Sequence, residues 1–317
     1  MDEIEHKYID AKGGAKLHIA EIGNGCSKVV IFIHGFPEIW YSWRHQMVAL
    51  AQFDYHSIAL DLSGYGLSST SKSNSNSNPS FYQFVDDILS ILEFFNFDKV
   101  VLVGKDFGSW VAYLFCLTHP TRVAGVISLG VPFLLPNPQR YKNFSEGFYL
   151  SRWKESGRAE ADFARFDVKT ILSKIYILFS RPEIPIASKD KEIMDLVDLT
   201  NTPLPPWLTQ DDLEIYTTLY QNSGFDSPMQ IPYKERHEFK ISNPRIEVPR
   251  MLIMGGKDYF LKFPGIEEHV KSEKLKDYHV GGLEIKFLED GTHFMQEQFP
   301  NKVNQFLITF LKDHVQI

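Results

Sequence analysis

The stretch Val100-Val-Leu-Val-Gly-Lys-Asp-Phe-Gly-Ser-Trp-Val-Ala-Tyr-Leu-Phe-Cys-Leu117 decides the fold. Val100 to Val103 are consecutive, mostly β-branched apolar residues, too few for a helix, and they read as a buried strand. Ser109 to Leu117 is a helix-compatible run without Pro or Gly. Between them lies Gly104-Lys-Asp-Phe-Gly108. A sharp strand-to-helix turn needs small residues two before and two after its apex, where the backbone folds back on itself. The apex side chain is expected to project into solvent, facing the amides that open the helix. A serine is the usual nucleophile there; this chain has Asp106. An ordinary βα turn with an exposed aspartate would read the same in isolation, so the rest of the chain must decide.

Working outward, Ile4–Ile9 and Ala15–Ile22, separated by Gly13-Gly14, read as an antiparallel pair. Val29–Ile33 is a buried strand followed by His34-Gly-Phe-Pro-Glu38. Trp40–Ala51 reads as a helix, and Ser57–Asp61 as a strand running into Ser63-Gly-Tyr-Gly-Leu-Ser68. The Ser- and Asn-rich segment 68–80 holds too little apolar surface to pack and is expected to be a loop. Ser80-Phe-Tyr-Gln83 has capping-box spacing, and Phe84, Ile88, Leu92 and Phe95 follow at helical intervals. After the Asp106 unit comes another buried strand, Val123–Leu129.

Strands alternating with helices at this cadence mean a mostly parallel sheet covered on both faces. The alternation stops near Pro132, with Pro136 and Pro138 marking the boundary. The next hundred or so residues read as helices only, clearest at Arg158–Phe166, Val168–Phe179 and Asp211–Gln221, with a Pro-rich break at Pro203–Pro206. Alternation resumes with a strand at Arg250–Gly255, a helix near Ile266–Leu275, a strand at Leu283–Leu288 and a helix at Pro300–Lys312. The expected architecture is one α/β core, residues 1–133 and 244–317, interrupted by a helical lid at 134–243. Ligands of such sheets bind at the C-terminal ends of the strands.

Bulk properties narrow the functional classes. At 317 residues the chain can bury a full core. A formal net charge of −7 leaves no basic footprint for nucleic acid or an anionic membrane. The two cysteines, Cys26 and Cys116, argue against a disulfide framework, and no metal-ligand spacing is present. The first residues are acidic and polar, unlike a secretory leader. No apolar run reaches bilayer length, and the last residues are not a peroxisomal address. The expectation is a cytoplasmic protein without metal or cofactor, a monomer or homodimer.

His34-Gly-Phe-Pro37, Asp106, Asp258 and Gly291-Thr-His293 each follow a predicted strand, which places them on one sheet edge. Nucleophile, acid and histidine in that chain order is the α/β-hydrolase order. An aspartate in the nucleophile position restricts the chemistry. A carboxylate is ionised at neutral pH and attacks without a base. Attack on an ester or amide would give a high-energy anhydride. Attack on a saturated carbon bearing a leaving group gives an ester that water can cleave, so epoxides and alkyl halides are the natural substrates. His293, oriented by Asp258, would deprotonate the water of the second step, with the Phe36 and Phe107 amides as oxyanion donors. An opening epoxide wants a proton donor such as a phenol, whereas a halide wants neutral N–H groups. Phe107 offers no side-chain N–H, and the lid holds Tyr141, Tyr149, Tyr176, Tyr216, Tyr220 and Tyr233. A dehalogenase, a cyclising relative that uses a substrate hydroxyl in place of water, and a non-catalytic ligand receptor are the alternatives.

His34-Gly-Phe-Pro-Glu38, Asp61-Leu-Ser-Gly-Tyr-Gly66, Val103-Gly-Lys-Asp-Phe-Gly108, Asp258-Tyr-Phe-Leu-Lys-Phe-Pro-Gly265 and Gly291-Thr-His-Phe-Met-Gln-Glu-Gln298 together resemble the soluble epoxide hydrolases, most closely the plant-type branch. The resemblance implies hydrolysis of a small hydrophobic epoxide to a diol, with two lid tyrosines polarising the epoxide oxygen. Phe148-Tyr-Leu-Ser-Arg-Trp153 matches the first lid motif and implies Tyr149. The second implies Tyr233, which stands one residue further beyond Gly224-Phe225 than the pattern expects. Glu38 corresponds to a glutamate that orients the hydrolytic water. His34, Pro37, Trp40 and Lys105 are expected to line the substrate side. The family usually has His before the nucleophile and Trp after it; here these are Lys105 and Phe107.

Overall fold

The computed structural model describes residues 3–70, 80–135, 144–234, 241 and 244–315. The loop segment 71–79, Pro136, Pro138, Tyr141 and the far lid boundary at Asn243 lie outside the described residues. Eight strands form one sheet in the order β1-β2-β4-β3-β5-β6-β7-β8. They are β1 (Glu5–Asp10), β2 (Lys16–Ile22), β3 (Lys28–Ile33), β4 (Tyr55–Leu60), β5 (Val100–Lys105), β6 (Val123–Leu129), β7 (Arg250–Gly255) and β8 (Leu283–Leu288). β2 pairs antiparallel with β1 and β4, and every later pairing is parallel. All of β5 is buried, which is why Val100–Val103 is a continuous apolar run rather than an alternating one.

The core helices are α1 (Arg44–Ala51), α2 (Phe81–Phe94) and α3 (Phe107–Thr118). Ser80 caps α2 by accepting the Tyr82 N–H at 3.3 Å. The helix expected over Trp40–Ala51 divides into a 3-10 turn, Trp40–Trp43, and α1. The reason is local competition for backbone carbonyls: Ser42 Oγ donates to Ile39 O at 2.9 Å and Arg44 Nη1 to Tyr41 O at 3.0 Å. β5 runs two residues beyond Val103, because Gly104 and Lys105 keep their parallel register with Ser128 and Leu129.

Between β6 and β7 lie α4 (Tyr149–Lys154), α5 (Arg158–Phe163), α6 (Val168–Phe179), α7 (Gln210–Ser223) and α8 (Ile231–Lys234). Asp167 caps α6 through the Thr170 N–H at 2.7 Å, and Thr209 with Asp212 forms a reciprocal capping box at α7. The insertion is not purely helical: Phe148 and Ile186 form an antiparallel bridge. After β7 come α9 (Ile266–Lys271), shorter than expected because Glu273–Tyr278 is a 3-10 turn, and then α10 (Met295–Gln298) and α11 (Pro300–His314). No helix among the described residues is long and apolar enough to cross a membrane.

The insertion is fastened over the C-terminal edge of the sheet by buried polar groups. Arg44 Nη1 meets Glu297 Oε2 at 2.6 Å and Nη2 meets Asp212 Oδ1 at 2.9 Å, while the Tyr216 hydroxyl donates to Glu297 Oε1 at 2.7 Å. Glu297 is fully buried at its side chain. Removing its arginine would strand a charge in the interior, a loss of about 3–5 kcal/mol.

Candidate active site

Asp106 stands at the apex between β5 and α3 with φ +51° and ψ −124°, a conformation in which a non-glycine residue is strained by about 1–3 kcal/mol. The flanking glycines make the turn possible. A Cβ on Gly104 would lie 2.4 Å from Gly108 O, and one on Gly108 would lie 2.2 Å from Ile33 O. The side chain was expected in solvent, but Asp106 is only 9% exposed, since aromatic residues of the insertion cover this edge.

Three strand ends converge on it. The Phe36 N–H, from the loop after β3, donates to Asp106 Oδ2 at 3.2 Å. His293, from the loop after β8, places Nε2 3.8 Å from Asp106 Oδ1, beyond direct hydrogen bonding. Its Nδ1 lies 3.0 and 3.1 Å from the two carboxylate oxygens of Asp258, after β7. Asp258 Oδ1 also accepts the Phe260 N–H at 3.0 Å, which fixes the carboxylate plane. A carboxylate on Nδ1 selects the tautomer with the proton there and leaves Nε2 as a base facing Asp106. Asp258 and His293 are both nearly sealed from solvent.

The insertion supplies an aromatic roof. Tyr233 stands edge-on to Phe36 at 5.6 Å, Phe107 at 5.3 Å and Trp153 at 5.1 Å, measured between ring centroids. Tyr149 packs against Trp153 at 5.4 Å, and its hydroxyl is 3.2 Å from that of Tyr259. Burial pushes the Tyr233 phenol well above its ordinary value, so it remains a neutral O–H donor. Phe107, the first residue of α3, presents its ring to Tyr233.

Glu38 is fully buried near Asp106 and His293. Its Oε1 accepts from Gln296 Nε2, while Oε2 has no hydrogen-bond partner among the described residues. Burial pushes this carboxyl up to about 7. Pro37 follows Phe36 through a cis peptide bond. His34, Trp40 and Lys105, the other expected substrate contacts, are buried. Both ring nitrogens of His34 are committed to backbone, Nδ1 to Gly35 O at 2.8 Å and Nε2 accepting the Leu62 N–H at 3.1 Å. Trp40 packs edge-on against His6 at 4.7 Å, on the β1–β2 side of the sheet. Lys105 is fully buried, its Nζ 5.6 Å from the centroid of Phe294.

Two residues at the site had no role in the sequence reading. Tyr259 joins Tyr149 and stacks obliquely on His293 at 4.9 Å, and burial raises its phenol well above the ordinary value. Gln296 holds Glu38. Both lie within motifs quoted above, beside Asp258 and His293 respectively, but neither residue type announces chemistry.

Comparison with known proteins bears on the same features. Residues 28–258 match the family model for the alpha/beta hydrolase fold. Epoxide hydrolase 2 of Siraitia grosvenorii is 33% identical, over 98% of this chain and 99% of that protein. The bifunctional epoxide hydrolase 2 of Rattus norvegicus is 27% identical, over 99% of this chain and 57% of the relative. Among solved structures, potato (Solanum tuberosum) epoxide hydrolase I superposes with a TM-score of 0.86 at 31% identity, covering 98% of this chain and 99% of that one. A mutant of the Vigna radiata epoxide hydrolase superposes with a TM-score of 0.87 at 30% identity, over 98% and 99%.

Proposed function

Since the chain belongs to the epoxide hydrolases of the α/β-hydrolase fold, we propose that it opens a small hydrophobic epoxide to a vicinal diol through a covalent ester on Asp106. An Asp106 oxygen attacks a ring carbon, the C–O bond of the epoxide breaks, and the alkoxide takes a proton from the Tyr149 or Tyr233 phenol. His293 Nε2 then removes a proton from water as that water adds to the ester carbonyl. The resulting oxyanion is stabilised by the amides of Phe36 and Phe107, and Glu38 orients the water. Collapse releases the diol and regenerates the Asp106 carboxylate. The proton held by His293 returns to the tyrosinate, so each turnover consumes one water and no cofactor.

The observation that carries this reading is the apex carboxylate with a backbone donor at 3.2 Å and a carboxylate-oriented histidine at 3.8 Å. The 3.8 Å separation suits a base that acts on an incoming water rather than on the aspartate itself. The helical insertion, read as a lid, would exclude bulk water and bring the phenols over the carboxylate. Replacement Asp106→Ala is expected to abolish diol formation from styrene oxide, measured by chromatography of the product. Turnover by the folded variant at the parent rate would refute the assignment.

A further inference from the structure

Lys105 is the residue that neither the triad nor the roof explains. It immediately precedes Asp106, yet its side chain goes to the interior, over the ring of Phe294, and is fully buried. Its Nζ has no hydrogen-bond partner among the described residues. Two other buried atoms beside the triad are orphaned in the complementary sense: Glu38 Oε2 and Gln296 Oε1, both acceptors. The three residues are connected. Gln296 bonds Glu38 and lies two positions after Phe294, the ring beneath Lys105. An ammonium carries three donors and no acceptor, so it supplies what these two oxygens lack.

We propose that Lys105 is a positioning residue that holds Glu38 as a carboxylate while the Asp106 ester is hydrolysed. The inference rests on the ester mechanism above. Burial alone favours the neutral acid at Glu38, and Lys105 is the largest charge opposing it; Glu297 and Asp106 act in the same direction as burial, and His293 acts with Lys105. Tyr176, Tyr216 and Tyr220 also face Glu38, as neutral phenols. Glu297 is neutralised by Arg44 at 2.6 Å. Alkylation converts Asp106 from an anion to a neutral ester, so one opposing charge vanishes between the two steps while the Lys105 cation stays. Glu38 is therefore more readily ionised at the stage where the water must be held, and Lys105 sets how low in pH that remains true.

The test uses the full chain and styrene oxide, following adduct formation and breakdown by quenched-flow and intact-protein mass, for hours where variants are slow. Lys105→Met keeps the length and removes the charge. Removing a buried unpaired ammonium should not destabilise the fold, which a melting curve checks. The acid limb of adduct breakdown is expected to move up by about one pH unit, so that breakdown near pH 6.5 slows roughly tenfold. Alkylation should change less than about threefold. An effect exerted on His293 directly would survive removal of the Glu38 charge, so the same substitution is made in a Glu38→Gln background, where the shift should disappear. An unmoved limb, or a shift of equal size in the Glu38→Gln background, overturns the role of Lys105. Absence of any adduct in the parent chain would instead remove the Asp106 ester itself, and the proposal with it.

Discussion

Under the proposed mechanism, Asp258→Asn is expected to separate the two chemical steps. Asp258 Oδ1 accepts the Phe260 N–H at 3.0 Å, so the atom at that position must remain an acceptor. In asparagine the carbonyl oxygen therefore takes the Oδ1 place and the NH2 group takes the Oδ2 place, 3.1 Å from His293 Nδ1. A donor there competes with the carbonyl oxygen 3.0 Å from the same Nδ1 and favours the tautomer in which Nδ1 accepts and the imidazole proton sits on Nε2. The base facing Asp106 is then already protonated. By analogy with the serine-hydrolase triad, the wrong tautomer slows the base-dependent step about 10³–10⁴-fold, equivalent to about 4–5.5 kcal/mol at 1.36 kcal/mol per decade. Attack by Asp106 needs no base, so alkylation should stay within about threefold of the parent. Single-turnover mass spectrometry with styrene oxide should show the ester forming normally and persisting. Equal slowing of both steps, or breakdown at the parent rate, would refute this account of Asp258.

Two further outcomes follow from the same geometry. Tyr149→Phe and Tyr233→Phe should each slow alkylation by about 10–100-fold, and the double substitution by more than either, as expected when two donors share one developing alkoxide; unaltered alkylation in the double variant would exclude the phenols. Asp87 is a linked stability probe: it is buried, accepts from Ser63 N–H at 2.9 Å, and burial pushes its carboxyl up to about 7. A raised acid holds a proton that the unfolded chain has already lost, so its contribution falls as pH rises between the two values. The stability cost of Asp87→Ala should accordingly shrink by about 2–3 kcal/mol between pH 5 and 8, measured by urea unfolding at the two pH values; a pH-independent cost would contradict the assignment.

What the sequence revealed and what it withheld divide along physical lines. The elbow was legible because a tight turn constrains residues only two positions from its apex, and a Cβ at Gly104 or Gly108 would meet backbone oxygens at 2.4 or 2.2 Å. The buried strands were legible from short, mostly apolar runs, as in Val123–Leu129 and Arg250–Gly255, whose observed limits coincide with those expected. Chain order along parallel strands then brought Asp106, Asp258 and His293 to one edge. Orientation at the strand ends was not legible. Lys105 adjoins Asp106 in sequence, yet it occupies the last position of β5 and points into the interior. Trp40 adjoins the Pro37-Glu38 turn, yet at the start of a 3-10 turn it packs against His6 of β1. Gln296 and Tyr259 became visible only through partners 258 and 110 residues distant. Such pairings depend on tertiary packing, which local periodicity does not encode.

The central claim is that Asp106 becomes an ester and that His293 is needed only to break it. Incubating the His293→Gln variant with styrene oxide, then measuring intact mass and mapping the modified peptide, tests this most directly. The account predicts a stable mass increase of one styrene oxide, located on Asp106, with no diol released. Sustained diol formation by this variant, or no adduct in a folded protein, would contradict it.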